Sequence, residues 1–391
     1  ILLLTGAINP EKRSKLWGSA KVIVATPQTI QSDLKSNRMN LHDFSMLCLD
    51  EAHRSRLKYA HTRVASEYMK QARFPKILAL TASPGGTKEK IEEICKNLSI
   101  EAVEIRSTID DDVKQYIQEK EIEWIEVFLP EEYKQIRELI KNFYIEKLRE
   151  LKKFGLSKPL NIVNKKDLLA IQISLRKSID NNNPSAFYGI SLVAQLLKLS
   201  YALELIETQG VIMLRAYWRK LLAEETKAAK IILANKNIAR AIELSNIDIE
   251  HPKMINLCSI IGQQIKSNPS SKVIVFANFR NTVKEIIKNL KAINNVNPIE
   301  LMGQKEGITQ KKQIETIRQF SEGKYNVLAT TSIGEEGLHI ASADIAIFYE
   351  PIASEIRVIQ RMGRVGRISK GKIIILITKG TRDEAYYWSA K

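Results

Sequence analysis

Short unbroken apolar runs that end abruptly in polar residues constrain this chain most. Residues 22–25 run into Thr26 and Pro27, residues 46–49 into Asp50 and Glu51, and residues 77–80 into Thr81, Ala82, Ser83 and Pro84. Runs of this length, separated by amphipathic stretches, predict buried parallel strands of an α/β sheet. Their polar ends mark the carboxyl edge, where open α/β sheets bind ligands. The pattern returns at residues 273–277, 327–329, 345–349 and 373–377. The opening Ile1, Leu2, Leu3 and Leu4 read as the inside of a strand, so the chain is expected to be a piece of a longer one.

Between these two stretches the period changes. Ile136, Ile140, Phe143, Tyr144, Leu148 and Leu151 recur at helical spacing, and Gly155 is a helix stop. A polar stretch at Asn181, Asn182, Asn183 and Pro184 precedes two further helices, over 192–206 and 212–223, and no β-rich run falls between about 131 and 250. The expected architecture is α/β. Two parallel-sheet domains, residues 1–130 (incomplete at the N-terminus) and 251–391, flank an all-helical insert over 131–250.

The chain of 391 residues carries 60 Lys and Arg against 44 Asp and Glu, a net charge of +16. The excess is uneven: residues 1–130 hold 19 basic and 18 acidic side chains, residues 131–250 hold 20 and 14, and residues 251–391 hold 21 and 12. Net values of +1, +6 and +9 point to a polyanionic partner for the last two segments. A Lys-rich solubilising surface is the alternative. Cys48, Cys95 and Cys258 are far apart, which argues against a disulfide framework or a zinc ribbon and fits a reducing cytoplasm. The five histidines, His42, His53, His61, His251 and His339, lack metal-ligand spacing. No unbroken apolar run reaches the roughly 18 residues of a membrane span, and no membrane partner is expected.

Asp50 and Glu51 follow a predicted strand. A carboxylate there suits Mg²⁺, which takes oxygen ligands and retains water, and its neighbour can orient or deprotonate an attacking water. The bland alternative is a polar loop at a helix start. Residues 360–367 set Arg364 and Arg367 three apart beside Gly363 and Gly366. Arginine supplies planar, multidentate donors to a transferring phosphate, and can do so from a second domain. A basic nucleic-acid-binding turn is the alternative for this stretch.

Taken in order, these segments resemble the motifs of superfamily 2 helicases. Thr26, Pro27 and Gln28 are similar to motif Ib. Residues 50–53, Asp50 to His53, resemble motif II in its DEAH form, and residues 81–83 motif III. Residues 274–280 resemble motif IV, 329–338 motif V and 360–367 motif VI. A narrower resemblance, to archaeal Hef and the Fanconi-anaemia M-type DNA translocases, rests on the DEAH box, the helical insert, residues 204–210 with 214–217, and residues 379–388.

The resemblance implies two RecA-like motor domains and a thumb-like insert that grips DNA. It also implies ATP and Mg²⁺ as cofactors and ATP-driven work on forked or branched DNA. Asp50 would hold Mg²⁺ and Glu51 would activate the water. His53, Thr81 and Ser83 would couple the nucleotide site to the DNA side. Gly334, Glu335 and Gly337 would lie at the nucleotide interface. Gln360, Arg364 and Arg367 would act on the γ-phosphate. Thr5, Gly6, Thr26, Gln28, Arg280, Gly303, Gln304 and Thr330 would follow the nucleic-acid backbone. In the insert, Arg215, Tyr217, Trp218, Arg219 and Lys220 interleave aromatic rings with charge. Arg215 and Arg219 are the candidate DNA contacts, while Trp218 reads better as core. The resemblance further implies a C-terminal XPF-type nuclease domain and a sliding clamp as partner for the parent protein, with a place at the nucleoid in an archaeal cell.

One departure stands out. No Gly-x-x-x-x-Gly-Lys-Ser/Thr segment occurs, and Gly85, Gly86, Thr87 and Lys88 have the wrong order and place. The family carries that loop ahead of the position of Ile1, so this chain is expected to hydrolyse ATP poorly by itself. Two other readings compete. One is a duplex-RNA-activated ATPase of the RIG-I or Dicer kind, whose members usually carry Cys where this chain has Ala52. The other is a non-catalytic nucleic-acid-binding module.

Overall fold

The computed structural model describes residues 1–391 apart from 57–58, 83–84, 86, 108–109, 115–119, 181–183, 304–308, 332–342, 352–370 and 386–391. The chain forms two units, Ile1–Gln115 and Tyr116–Lys391.

In the first unit the apolar runs become three-residue strands: β1 (Leu2–Leu4), β2 (Ile23–Ala25), β3 (Leu47–Leu49) and β4 (Ile77–Ala79). They pair in parallel, β1 with β2 and β3 with β4. Helices Pro10–Leu16 and Pro27–Lys35 each open on proline, whose missing N–H is no loss in the first turn. Ala65, Ile94 and Leu98 of helices Ala60–Gln71 and Lys88–Leu98 close a core over Leu49 and Ala52. The middle residue of every strand stays bare: Leu3 is 62 % exposed, Val24 53 % and Leu78 43 %, and Cys48 is exposed too. Parallel strands are ordinarily covered on both faces; these are covered on one.

A buried ion cluster ties the first two helices together. Asp33, fully buried, accepts from Arg13 Nε at 2.9 Å and Nη2 at 2.8 Å, from Arg38 Nε at 2.9 Å and from Trp17 Nε1 at 3.1 Å. The Arg13 guanidinium, chiefly, holds the Asp33 carboxyl down to about 2.

In the second unit, six parallel strands form one sheet. They are β5 (Lys120–Val127), β6 (Val273–Phe276), β7 (Pro298–Leu301), β8 (Val327–Thr330), β9 (Ile345–Phe348) and β10 (Gly371–Thr378), in the order β5-β10-β9-β6-β8-β7. β6, β8 and β9 are buried at every residue. One face packs on Leu257, Ile261, Val283 and Ile286 of helices Pro252–Ser267 and Arg280–Leu290, and the other on Ile317 and Phe320 of helix Gln310–Ser321.

The boundary expected for the first domain is corrected at one strand. β5, placed by the sequence in residues 1–130 of that domain, pairs with β10 along eight residues, Lys120 with Gly371 through Val127 with Thr378. Its acidic residues reach across to lysines: Glu123 to Lys372 at 2.7 Å and Glu126 to Lys379 at 2.9 Å.

The insert is helical among its described residues. Helices Glu131–Leu151, Lys165–Asp180, Ser185–Thr208, Val211–Leu222, Lys227–Leu233 and Lys236–Leu244 surround a core of Ile136, Ile140, Phe143, Leu148, Leu196, Ile206, Leu214 and Trp218. Ile136, Ile140, Phe143, Tyr144, Leu148 and Leu151 are all buried, as their spacing predicts. A 3₁₀ turn, Lys152–Phe154, follows that helix and ends at Gly155, at φ 96°. Helix Ser185–Thr208 is, by length and composition, long and apolar enough to cross a membrane, although no unbroken run in the sequence is. Most of it is buried in the bundle, which accounts for its composition.

Removing Asp33 leaves buried Arg13 without its partner, a loss of roughly 3–5 kcal/mol in such pairs. Asp33→Ala is expected to lower the stability of the first unit by that order, read as denaturant unfolding through Trp17 emission. Because the folded carboxyl lies at about 2 against an ordinary 3.8, its contribution is present above pH 4 and fades as pH falls toward 2. An unfolding free energy that is flat in wild type across that acid window contradicts the assignment.

Candidate functional site

The DEAH residues stand at the carboxyl ends of β3 and β4. Leu49 is buried and Asp50, one residue on, is exposed. The chain then turns sharply. Glu51 takes a left-handed conformation at φ 53°, and Ala52–Arg54 form one 3₁₀ turn. Such a conformation costs a non-glycine residue of order 1–3 kcal/mol and clusters at functional sites. The turn is held from β4: Ala52 N–H donates to Leu80 O at 2.9 Å and Leu80 N–H to Leu49 O at 2.8 Å. Glu51 N–H donates to Asp50 Oδ1 at 2.9 Å, which fixes that carboxylate.

His53 links two motifs. Its Nδ1 lies 3.1 Å from Thr81 Oγ1 and 3.2 Å from Glu51 Oε2. Burial lowers its pKa; Glu51 opposes that, while Arg54 and Arg56 reinforce it. The ring is therefore neutral near pH 7 and works as a hydrogen-bonding link rather than a fixed charge. Ser83, its expected companion, lies outside the described residues.

Among the described residues, no group of three or more His, Cys, Asp or Glu side chains is placed to hold a metal ion. One exposed, oriented carboxylate, Asp50, fits Mg²⁺ that keeps its waters and takes its other ligands from a nucleotide.

Thr5 and Gly6 follow β1, and Thr26 and Gln28 follow β2. The register Leu4 with Ala25 sets the two ends side by side. Gly6, Thr26 and Gln28 are exposed, and an added Cβ at Gly6 meets nothing within 4 Å. In the second unit, Arg280 Nη2 donates to Gly303 O at 3.2 Å, joining two more expected backbone contacts. Thr330 differs from expectation: it is fully buried at the end of β8, and its hydroxyl donates to Thr331 O at 3.0 Å. It does not line an accessible edge. Arg219 is exposed, Arg215 half-buried and Trp218 buried. Gln304, Gly334, Glu335, Gly337, Gln360, Arg364 and Arg367 lie outside the described residues.

A polar joint fastens the bundle to the sheet. The chain leaves β6 toward β7 and leaves β9 toward β10, on opposite sides, so the crevice between their carboxyl ends is the sheet's switch point. Gln209 of the insert fills it. Its Nε2 donates to Glu350 Oε1 at 2.6 Å, and its Oε1 accepts from the Thr282 hydroxyl. Asn278 N–H donates to Glu350 Oε2 at 2.9 Å.

Around this core, Lys253 and Asp383 form a fully buried ion pair, and Arg382 Nη1 donates to Ser200 O at 2.8 Å. Tyr133 Oη donates to Ile249 O at 2.8 Å. Gly210, at φ 96°, has Tyr133 Oη 3.0 Å and His251 Cβ 3.1 Å from where a side chain would begin. The signal was in the sequence: residues 204–210 and 379–383 stood out for the resemblance, without a role.

This architecture, parallel-sheet units with a helical bundle and a DEAH turn at a strand's end, is that of the superfamily 2 helicase family. Residues 1–91 match the DEAD/DEAH box helicase family, residues 132–250 a helical bundle named for ATP-dependent RNA helicases, and residues 252–369 the helicase conserved C-terminal domain. The crystal structure of the Pyrococcus furiosus Hef helicase domain is 43 % identical, with a TM-score of 0.76, over 100 % of this chain and 83 % of that one. The chain belongs to the Hef and Fanconi-anaemia M-type branch of the superfamily 2 helicases.

A Methanocaldococcus jannaschii protein named for ATP-dependent RNA helicase activity is 39 % identical over 100 % of this chain and 50 % of its own length. The Arabidopsis thaliana DEAD-box ATP-dependent RNA helicase FANCM is 32 % identical over 98 % and 30 %. The Schizosaccharomyces pombe ATP-dependent DNA helicase fml1 is 32 % identical over 99 % and 49 %. The chain thus spans half or less of the length of these curated relatives.

Burial pushes the Glu350 carboxyl up to about 7 against the pull of Lys253. A folded value raised above the ordinary 4.5 means that its stabilisation is full below pH 4.5 and is lost as pH rises through 7. The thermal stability of the second unit is expected to fall between about pH 4.5 and 7 in wild type and to lose that slope in Glu350→Gln. An identical slope in the variant would remove Glu350 as its source.

Proposed function

We propose that the chain is the motor portion of an ATP-dependent DNA helicase or translocase that works on forked or branched DNA. The observation that carries the reading is the turn at Asp50–Glu51, with His53 bonded to Thr81 of the neighbouring strand's end. Bound ATP and Mg²⁺ would supply the phosphoryl group and its charge compensation. Glu51 would orient and deprotonate the attacking water, and Asp50, fixed by the Glu51 N–H, would hold the ion. His53 would pass a change at Glu51 to Thr81, two residues past the end of the strand that runs beside β3. Gln360, Arg364 and Arg367 would supply donors to the γ-phosphate, with Gly334, Glu335 and Gly337 beside them. DNA relatives such as fml1 support the choice of DNA, and the names of the Methanocaldococcus and Arabidopsis proteins keep RNA as the comparison to run.

Grip on the duplex would come from the insert, but not chiefly from Arg215 and Arg219. Residues 151–190 carry 7 Lys and Arg against 2 Asp and Glu, a net +5 of the insert's +6. Lys152, Lys153, Arg176 and Lys177 are exposed there. On the same resemblance, the parent protein is proposed to work in the cytoplasm with a sliding clamp and to carry an XPF-type nuclease domain.

In a chain carrying the phosphate-binding loop, Glu51→Gln is expected to abolish turnover while nucleotide affinity holds, since only the water-orienting group is lost. Turnover close to wild type would remove Glu51 from that role, and stimulation by duplex RNA but not by forked DNA would overturn the choice of DNA.

Replacing Lys152, Lys153, Arg176 and Lys177 with alanine is expected to flatten the slope of log K against log salt for forked DNA, by about 1 for each phosphate no longer neutralised. Arg215→Ala with Arg219→Ala should flatten it less. The reverse ranking would return the grip to the latter pair.

A further inference from the structure

Beside the buried joint lies an open cleft whose aromatic rings have no role in the reading above, although Arg280 on its rim is an expected backbone contact. It runs between helices Ser185–Thr208 and Val211–Leu222 and the start of helix Arg280–Leu290, and encloses about 180 Å³. That is below the roughly 300–1,000 Å³ of pockets that take whole small molecules, and suits a single flat ring system.

Aromatic rings frame it. Tyr201 stands edge-on to Tyr217, with centroids 5.2 Å apart and planes at 81°, and leans on Phe279 at 6.4 Å. The Tyr217 hydroxyl donates to Lys198 O at 3.0 Å, which fixes that ring and, through it, the frame. Tyr201 nonetheless keeps 39 % of its surface open. At the rim, Lys220 and Asn281 are exposed, and the Arg280 guanidinium is steadied by Gly303 O. Tyr201, Tyr217 and Lys220 come from the bundle and the other three from the loop and helix after β6, so the cleft exists only because the joint brings the two together.

An open ring face beside placed cations is the equipment for an unpaired nucleotide: the base stacks and the phosphate finds a cation. Paired bases inside a duplex are already stacked and present no free face. We propose that this cleft takes one unpaired base of a DNA strand, stacked on Tyr201 and Phe279, with the neighbouring phosphates on Lys220 and Arg280. The inference rests on the DNA-motor reading and deepens it. The insert would hold duplex along its basic stretch and single strand at the joint, the two states that meet at a fork. The rival explanation is that the rings only fasten bundle to sheet.

The test crosses a chain variant with a DNA variant. Tyr201→Leu keeps apolar filling but cannot stack, and Tyr201→Phe keeps the ring; Phe279→Leu serves if Tyr201→Leu does not fold. Forked DNA carries one 2-aminopurine, or one abasic position, stepped along its single-stranded arm. At one position, binding should change 2-aminopurine emission with the unaltered chain and with Tyr201→Phe, but not with Tyr201→Leu. Tyr201→Leu should weaken single-strand binding by roughly 5- to 150-fold, the loss of one base–aromatic stack. Duplex binding and the salt slope should stay as they were. An abasic site at that position should cost the unaltered chain a similar factor and cost Tyr201→Leu nothing more. Additive losses, equal weakening on duplex, or no effect of Tyr201→Leu would overturn the proposal and leave the motor reading standing. Failure of the unaltered chain to bind any DNA would overturn both.

Discussion

The carboxylate of Glu350, enclosed at the switch point and bonded to Gln209 of the insert, is the contact on which the second unit's organisation depends. A buried carboxylate is costly unless its oxygens are bonded. Here one oxygen takes the Gln209 amide and the other the Asn278 N–H, while the amide's own oxygen takes the Thr282 hydroxyl. Every partner must be in place for the group to be tolerated, so the network specifies one docking of bundle on sheet. The crevice an open α/β sheet usually leaves for a ligand is filled by the protein's own side chain. The helical insert is thereby fastened to the sheet of the second unit at the ends of β6 and β9.

How much of the fold the sequence revealed depended on where each strand sits. β6, β8, β9 and β10 are buried on both faces, and an unbroken apolar run is what that demands. β5 and β7 are the sheet's outer strands. Outer strands carry charge as a guard against further pairing, and β5 sets Glu121, Glu123 and Glu126 among apolar residues, which breaks the run that reveals a buried strand. Nothing local marks it as the neighbour of β10, some 250 residues on; only the lysines at 372 and 379 answer its glutamates.

The site was legible unevenly for the same reason. Asp50, Glu51 and His53 stand out in the chain because they are contiguous and follow an apolar run, so their place at a strand's end is legible locally. The His53–Thr81 bond joins residues 28 apart and needs the β3–β4 register to exist. Thr330, which the resemblance places along the nucleic-acid backbone, is buried at the end of β8 with its hydroxyl turned inward to a carbonyl. Arg215 and Arg219 drew notice by sitting among aromatics, yet the charge surplus of the insert lies before them, over 151–190. Local pattern identified groups with a demanding chemistry and overlooked those whose value is positional, such as Gln209 and Gly210.

Glu51 shows how the two kinds of demand collide. Its left-handed backbone is one that glycine adopts freely and a glutamate resists. Glycine there would relieve the strain and keep the turn, since the bonds that hold it run through Ala52 N–H and Leu80 N–H and need no side chain at 51. It would also remove the carboxylate beside His53 and Asp50. Stability alone therefore favours a different residue at this position. The strain is carried by the surrounding β3–β4 pair and the core over Ala52. A carboxylate at this strained position, at the carboxyl edge of the sheet, is what the proposed water-activating role of Glu51 would require.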